Sequence, residues 1–242
     1  MIRRITFGIT LGICVAISQL AIASAASAKT LKVNVGSIKN GKVIPGKYAF
    51  CVPVEQGHTS AGGNFNPSIS WSKGPAGTKS YAIIVTDPDV PTIRDNMNKE
   101  GVTVAASIPR RTFFHFILVD IPPSVRSIAE GAVSNARVPH GKPAAQVKVG
   151  VPGLNDYTTV LAGNEAMKGK YYGYDGPCSP WNDEIVHHYH FTVYALSVPK
   201  LDLKEDFNGT DATAALKDKV LAQGEVVGLY SQYPPVMAKL PK

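Results

Sequence analysis

The chain carries six histidines, and three of them, His187, His188 and His190, crowd into HHYHF within the run IVHHYHFTVYAL. Imidazole donates hydrogen bonds, changes charge near neutral pH and ligates metals. What a group of three can do depends on where the chain points them. The run is β-branched and aromatic, and side chains on a strand alternate between faces. His187, Tyr189, Phe191, Val193 and Ala195 then share an apolar face that looks into a core. His188, His190, Thr192 and Tyr194 share the other. A regular strand therefore does not deliver all three histidines to one metal ion. His188 and His190 could clamp an ion from the outer face, but such a pair is more often plain strand surface.

Two further runs break their apolar faces with polar groups. In YAIIVTD, Tyr81, Ile83, Val85 and Asp87 fall on one side; in FFHFILV, Phe113, His115, Ile117 and Val119 do. A buried polar group needs a partner. Three strands that each interrupt their apolar face are most simply explained by one polar pocket at the edge of the core, formed by Asp87, His115, His187 and Tyr189.

The elements that must position these groups are mostly strands. The 22 glycines and 18 prolines cut the chain into short runs, with Leu31–Val35, Tyr81–Thr86, Phe113–Ile121 and His187–Leu196 reading as strands between turn-rich segments. A helix is predicted over 211–223, DATAALKDKVLAQ, starting at a capping-competent Asp211 and stopping at Gly224. The segments 92–110 and 135–172 read as long loops, a feature often tied to function. No internal repeat or low-complexity linker appears, so residues 29–242 read as one domain.

Residues 1–28 have the form of a secretory signal peptide: Arg3-Arg4, an apolar run, then Ala26-Ser27-Ala28. The alternative is an uncleaved anchor, because the run approaches the ~18–20 residues that span a bilayer. After Ala28 no segment is apolar enough to cross a membrane. The formal charge of +7 falls only by the two leader arginines, and the lysines are scattered rather than forming the basic stripe of a nucleic-acid binder. Cys51 and Cys178 remain, a pair that an oxidising compartment would allow to bridge. Asn208-Gly209-Thr210 is a glycosylation sequon.

In order along the chain, TDPDVP (86–91), FFHF (113–116), GLNDY (153–157), GYDGPCSP (173–180) and HHYHFTVYAL (187–196) resemble the signatures of phosphatidylethanolamine-binding proteins, in particular their bacterial Raf-kinase-inhibitor-like branch. The likeness covers most of residues 66–196 and is weak over 29–64 and after 200. It implies an all-β fold, a mainly antiparallel β-sandwich of two sheets with Greek-key-like connections, a C-terminal helix and long loops. It also implies a small pocket at one end that binds phosphate-like anions or a phospholipid head group. Carried over by motif, the ligand-binding residues are Asp87, Pro88, Asp89, Pro91, Phe113, His115, Gly176, Pro177, His187 and Tyr189. His188 replaces a common arginine, Phe113 stands where some relatives have tryptophan, and the insert after Pro91 is longer than in the shortest relatives.

Those residue types suit a phosphate or carboxylate. Imidazole and phenol groups donate, most strongly when charged, and Asp87 would orient a histidine and keep it protonated. Asp89 reads as structural. Aspartate, two histidines and a tyrosine also serve acid–base chemistry. No nucleophile accompanies them: there is no Gly-x-Ser-x-Gly turn. The strongest enzymatic alternative is a metal-dependent hydrolase using Asp87, His115 and His187, without any His-Glu-x-x-His pair. The sequence thus favours a periplasmic or secreted binding module, with no catalytic residue, cofactor or resident metal, that takes an anion or head group. Regulation of a protein partner is compatible with the family, but the sequence names none. Cleavage after Ala28 predicts that N-terminal sequencing of the exported protein starts at Lys29; retention of Met1 in a membrane fraction would mean an anchor.

Overall fold

The computed structural model describes residues 29–241, so the leader expected over 1–28 lies outside the described residues. Four long strands dominate: Ser80–Pro91, Arg110–Ile121, His187–Leu196 and Val220–Tyr230. Each pairs antiparallel with its neighbour, in the spatial order Val220–Tyr230, His187–Leu196, Ser80–Pro91, Arg110–Ile121. Short strands at Val151–Pro152, Lys29–Thr30 and Lys42–Val43 complete a seven-stranded sheet, the last two running parallel to Val220–Tyr230. A three-stranded sheet (Val33–Val35, Ile69–Trp71, Ser127–Ile128) and a two-stranded ribbon (Cys51–Pro53 with Thr59–Ala61) stand apart from it. The architecture is mostly β, as the turn-punctuated sequence predicts.

The main core forms where inward rows of the large sheet meet the three-stranded one. Tyr81, Ile83, Val85, Phe116, Leu118, Phe191 and Val193 pack with Val35, Ile69, Trp71 and Ile128. A second apolar cluster covers the opposite face, built on Ala82, Ile84, Ile117, Val119 and Leu196 and closed by Leu201, Phe207, Ala212 and Leu216. The strand face carrying Thr192 is therefore also partly covered, and Thr192 is buried.

The helix expected over 211–223 is corrected at both ends. It spans Gly209–Ala215 and is capped by Asn208, whose side chain accepts the Asp211 N–H while Asp211 accepts the Asn208 N–H. Asp211 is thus the third helical residue of a capping box rather than the cap. Residues 220–223 belong to the strand Val220–Tyr230. Its buried row is Ala222, Gly224, Val226, Gly228 and Tyr230. The two glycines keep the period of a strand but give no hydrophobic signal. They are required by close approach: a Cβ at Gly224 would run into the Leu31 carbonyl, and one at Gly228 into Ile44.

The capping box anchors the helix that seals the second core. Replacing Asn208 by alanine is expected to lower unfolding free energy by about 1 kcal/mol, with Asn208→Asp close to wild type; urea titration of both variants checks this.

Candidate functional site

The antiparallel register brings the polar interruptions together. Asp87 lies opposite Phe113, and Thr86 is paired on one side with Phe114 and on the other with His190. Asp87, Phe113, His115, His187 and Tyr189 consequently line one cavity of about 260 Å³. His115 reaches it through a bulge. Thr86 pairs with Phe114 and Val85 with Phe116, so His115 is the extra residue. A bulge reverses the alternation. His115 turns into the cavity and Phe116 into the main core, while Ile117 and Val119 join the opposite cluster. The expectation that Phe113, His115, Ile117 and Val119 share one face is therefore corrected after His115.

A chain of buried charges runs beside the floor. His187 is fully buried, and its Nδ1–H donates to Asp87 Oδ2 at 2.7 Å and its Nε2–H to Asp183 Oδ2 at 3.2 Å. Arg110 grips Asp183 with two bonds, at 2.6 and 3.0 Å. Asp87 Oδ1 accepts the Asp89 N–H. Burial alone would lower the His187 pKa, but attraction to Asp87 and hydrogen bonds to both carboxylates push it up to about 9. Burial would raise Asp87 and Asp183; His187, joined by Arg110 at Asp183, holds both below the usual carboxylate value. Asp87, expected to keep a histidine charged, stands against His187. The sequence reading missed Asp183, four residues before His187, and that second carboxylate changes the role of the histidine. Both ring N–H groups are used inside the protein, so His187 positions the floor in place of the direct donation to ligand that the sequence suggested.

His115 behaves differently. Its Nδ1–H donates to the Asp175 carbonyl at 2.7 Å, which fixes the tautomer, and burial lowers its pKa against the pull of Asp87. At neutral pH it is an uncharged ring whose Nε2 lone pair has no protein partner among the described residues. The rings of Phe113, Tyr157 and Tyr189 pack around it. Burial raises the Tyr189 pKa well above its normal value, and the neighbouring Asp87 adds to this, so its hydroxyl stays protonated. Behind His115, the Asp175 carboxylate is held by buried Lys142 at 2.9 Å and by the Asn64 and Asn155 amides at 2.7 and 2.8 Å.

The walls come from the segments flagged as long loops. The insert after Pro91 supplies Arg94, Met97 and Asn98, and the 135–172 segment supplies Arg137, Tyr157, Val160 and Leu161. Asn182 pins the insert through the carbonyls of Asn96 and Val102. Three arginines, Arg94, Arg111 and Arg137, line the cavity and were missed, because single arginines, two of them on irregular backbone and Arg111 at a strand end, carry no periodic signal. Cys51 and Cys178 form a disulfide in the cavity wall, with an S–S distance of 2.07 Å.

Half of the residues carried over by motif stand back from the cavity. Asp89 Oδ2 accepts both the backbone N–H and Nδ1–H of His188 at 2.8 Å, on the outward side of the strand. Pro88 and Pro91 shape that bulged strand end. The Pro177 carbonyl accepts the Phe50 and Cys51 N–H groups, and Gly176 packs so tightly that a Cβ would strike the Tyr48 carbonyl. These five residues build the frame around the cavity rather than its lining. His190 pairs with Glu225 on the outer face. The hydrolase alternative has no support in this geometry: His187 has both nitrogens engaged, His115 has one, and the described residues contain no cluster of three metal-ligating groups.

The sequence model for the phosphatidylethanolamine-binding protein matches residues 34–231. The chain belongs to this family. The match extends well beyond the 66–196 stretch in which motifs are visible by eye. A UPF0098 protein of Aquifex aeolicus is 31% identical over 196 residues, covering 81% of this chain and 85% of its own length. The UPF0098 protein YbcL of Escherichia coli is 28% identical over 211 residues, covering 86% and 92%. The crystal structure of E. coli YbcL, described as a new member of the mammalian PEBP family, superposes with a TM-score of 0.60 at 26% identity. It covers 84% of this chain and 99% of that one.

The sign of the pH dependence follows from the charge chain. A His187 pKa raised from 6.5 to about 9 adds stability that is complete below pH 6.5 and lost as pH rises through about 9. The depressed Asp87 and Asp183 add stability above their ordinary range that is lost on acidification. His187→Ala leaves both carboxylates buried without their shared cation, with an expected cost of about 3–5 kcal/mol. It should also abolish the alkaline decline in stability between pH 6.5 and 9, as read by urea unfolding across that range.

Proposed function

We propose that this member of the family is a binding module whose cavity takes a small anionic ligand, a phosphate ester or phospholipid head group, and that it works outside the cytoplasm. The observation that carries the reading is the set of three arginines around an aromatic-lined cavity. Arg94 and Arg137 have no carboxylate partner among the described residues, and Arg111 has only Asp156 at 3.9 Å. Cationic donors without an internal acid are available to an anion, and a charged donor makes the stronger bond. Ser179 adds a buried hydroxyl on the cavity lining with no hydrogen-bond partner. The disulfide supports an oxidising compartment, in line with the signal peptide read in the sequence. A two-sheet sandwich with Greek-key connections is the finer fold that this reading carries with it.

Calorimetric titration tests the function. Phosphate and phosphoethanolamine should each bind in the millimolar range or tighter and compete with one another, and the triple Arg94→Gln/Arg111→Gln/Arg137→Gln variant should lose both. A wild type that binds neither at millimolar concentration rejects the reading.

A further inference from the structure

Behind the cavity floor, Asn64, Ser134, Lys142, Asn155 and Asp175 are all buried. The Lys142 ammonium and the Asn64 amide nitrogen converge on the same oxygen, Asp175 Oδ1, at 2.9 and 2.7 Å. They also share the Ser134 hydroxyl oxygen, at 3.1 and 3.4 Å. Lys142 Nζ and Asn64 Nδ2 are thus held within two hydrogen-bond lengths of each other by two common neighbours. The carbonyl oxygen of the Asn64 amide accepts the Gly176 N–H at 2.9 Å. Asn155 differs, because it donates to the other carboxylate oxygen, Asp175 Oδ2, at 2.8 Å. Backbone hydrogen bonds fix both partners. The Lys142 N–H donates to the Lys170 carbonyl at 2.9 Å, and the Asn64 N–H to the Ala49 carbonyl at 3.0 Å.

A buried ion pair alone adds little net stability, and each member of this group matches a part in amide exchange. A lysine becomes a nucleophile when it loses its proton, which desolvation favours; burial lowers the Lys142 pKa against the pull of Asp175. A carboxylate in reach of both nitrogens can carry a proton from one to the other. An N–H aimed at the amide oxygen stabilises the charge that develops there.

We propose that the folded chain joins Lys142 to Asn64 by an intramolecular isopeptide bond, with Asp175 as the proton carrier. Lys142 gives its ammonium proton to Asp175, and the neutral Nζ attacks Asn64 Cγ. The N–C bond forms and the carbonyl electron pair moves onto Oδ1, against the Gly176 N–H. Asp175 passes its proton to Nδ2 and takes another from Nζ; the Cγ–Nδ2 bond breaks and ammonia leaves, as ammonium once it takes the last proton from Asp175. The product is a secondary amide, and nothing is oxidised or reduced. The bond ties the turn that precedes the Ile69–Trp71 strand to the 135–172 segment. Unlike the Cys51–Cys178 disulfide, this tie resists reduction. The inference is independent of what the cavity binds.

Mass spectrometry of the purified folded protein, reduced and denatured for the measurement, decides it. The intact mass should lie one ammonia below that of the reduced chain, and a protease digest should yield a branched peptide joining Asn64 to Lys142. Asp175→Asn and Lys142→Met, each close in volume to the residue replaced, should show the full mass and no branch, with thermal unfolding to establish that they fold. Full mass without a branch in the wild type overturns the proposal. So does loss of ammonia without a branch, which marks a succinimide, and so does a branch at Asn155. Loss of water with a branch from Lys142 to Asp175 overturns the assignment of Asn64 as the partner. A branch that still forms in folded Asp175→Asn overturns the proton-carrying role. Should either variant fail to fold, the presence or absence of the wild-type branch still decides whether the bond exists.

Discussion

Everything near the cavity depends on one imidazolium held between two carboxylates. His187 is fully enclosed, yet its charge is retained because Asp87 and Asp183 face it from opposite sides. Charges removed from water are stable only when each is paired and the remaining lone pairs are filled. Here the backbone N–H of Asp89 fills one oxygen of Asp87, and Arg110 satisfies Asp183. The series also links parts of the chain distant in sequence. Asp87 lies in the last third of one long strand, Arg110 begins the next, His187 begins a third, and Asp183 lies in the loop before it. Arg110 further holds the carbonyls of Asp89 and Ala105, which fastens the insert to the strand ends. Removing any member would strand the others, so the arrangement of strand ends is conditional on the complete set.

The parts of this design that were legible in sequence are the parts that repeat. Period-two alternation located three of the four long strands and turned His187, Tyr189 and Asp87 inward. It failed after His115, where one extra residue reverses the faces without altering composition. It failed again at Val220–Tyr230, where buried glycines take the place of apolar side chains and the turn 216–219, Leu-Lys-Asp-Lys, mimics a continuation of the preceding helix. In both places a backbone contact outranked the side-chain pattern: a bulge in one, the approach of Leu31 and Ile44 in the other.

The motif residues show a different limit. Asp89, Gly176 and Pro177 sit beside Asp87 and Cys178 in sequence, and a motif treats neighbours alike. Strand geometry does not. Asp89 is two residues from Asp87, but the bulge between Asp87 and Val90 sends its carboxylate to His188. Asp183 and Asp175 are the opposite case, since each touches a pocket histidine and neither announces itself by spacing. Lys142 is more remote still. A lysine in a loop reads as solvated surface, whereas this one is buried against Asp175 and Ser134, and burial lowers its pKa despite that partner.

A division of labour follows from where each group is mounted. The floor is built on paired strands and locked by internal hydrogen bonds, which leaves it rigid and nearly neutral. Arg94 and Arg137 are mounted on the insert and on the 135–172 segment, where backbone is irregular and substitutions disturb little packing, and Arg111 on a strand end. If the cavity takes an anion as proposed, a neutral, rigid floor would discriminate by shape and by the direction of its polar groups, and the arginines would supply long-range attraction but little geometric selection of their own. Placing them apart allows the charge preference of the cavity to change, by exchanging Arg94 or Arg137, without touching the histidine and carboxylates on which the strand ends depend.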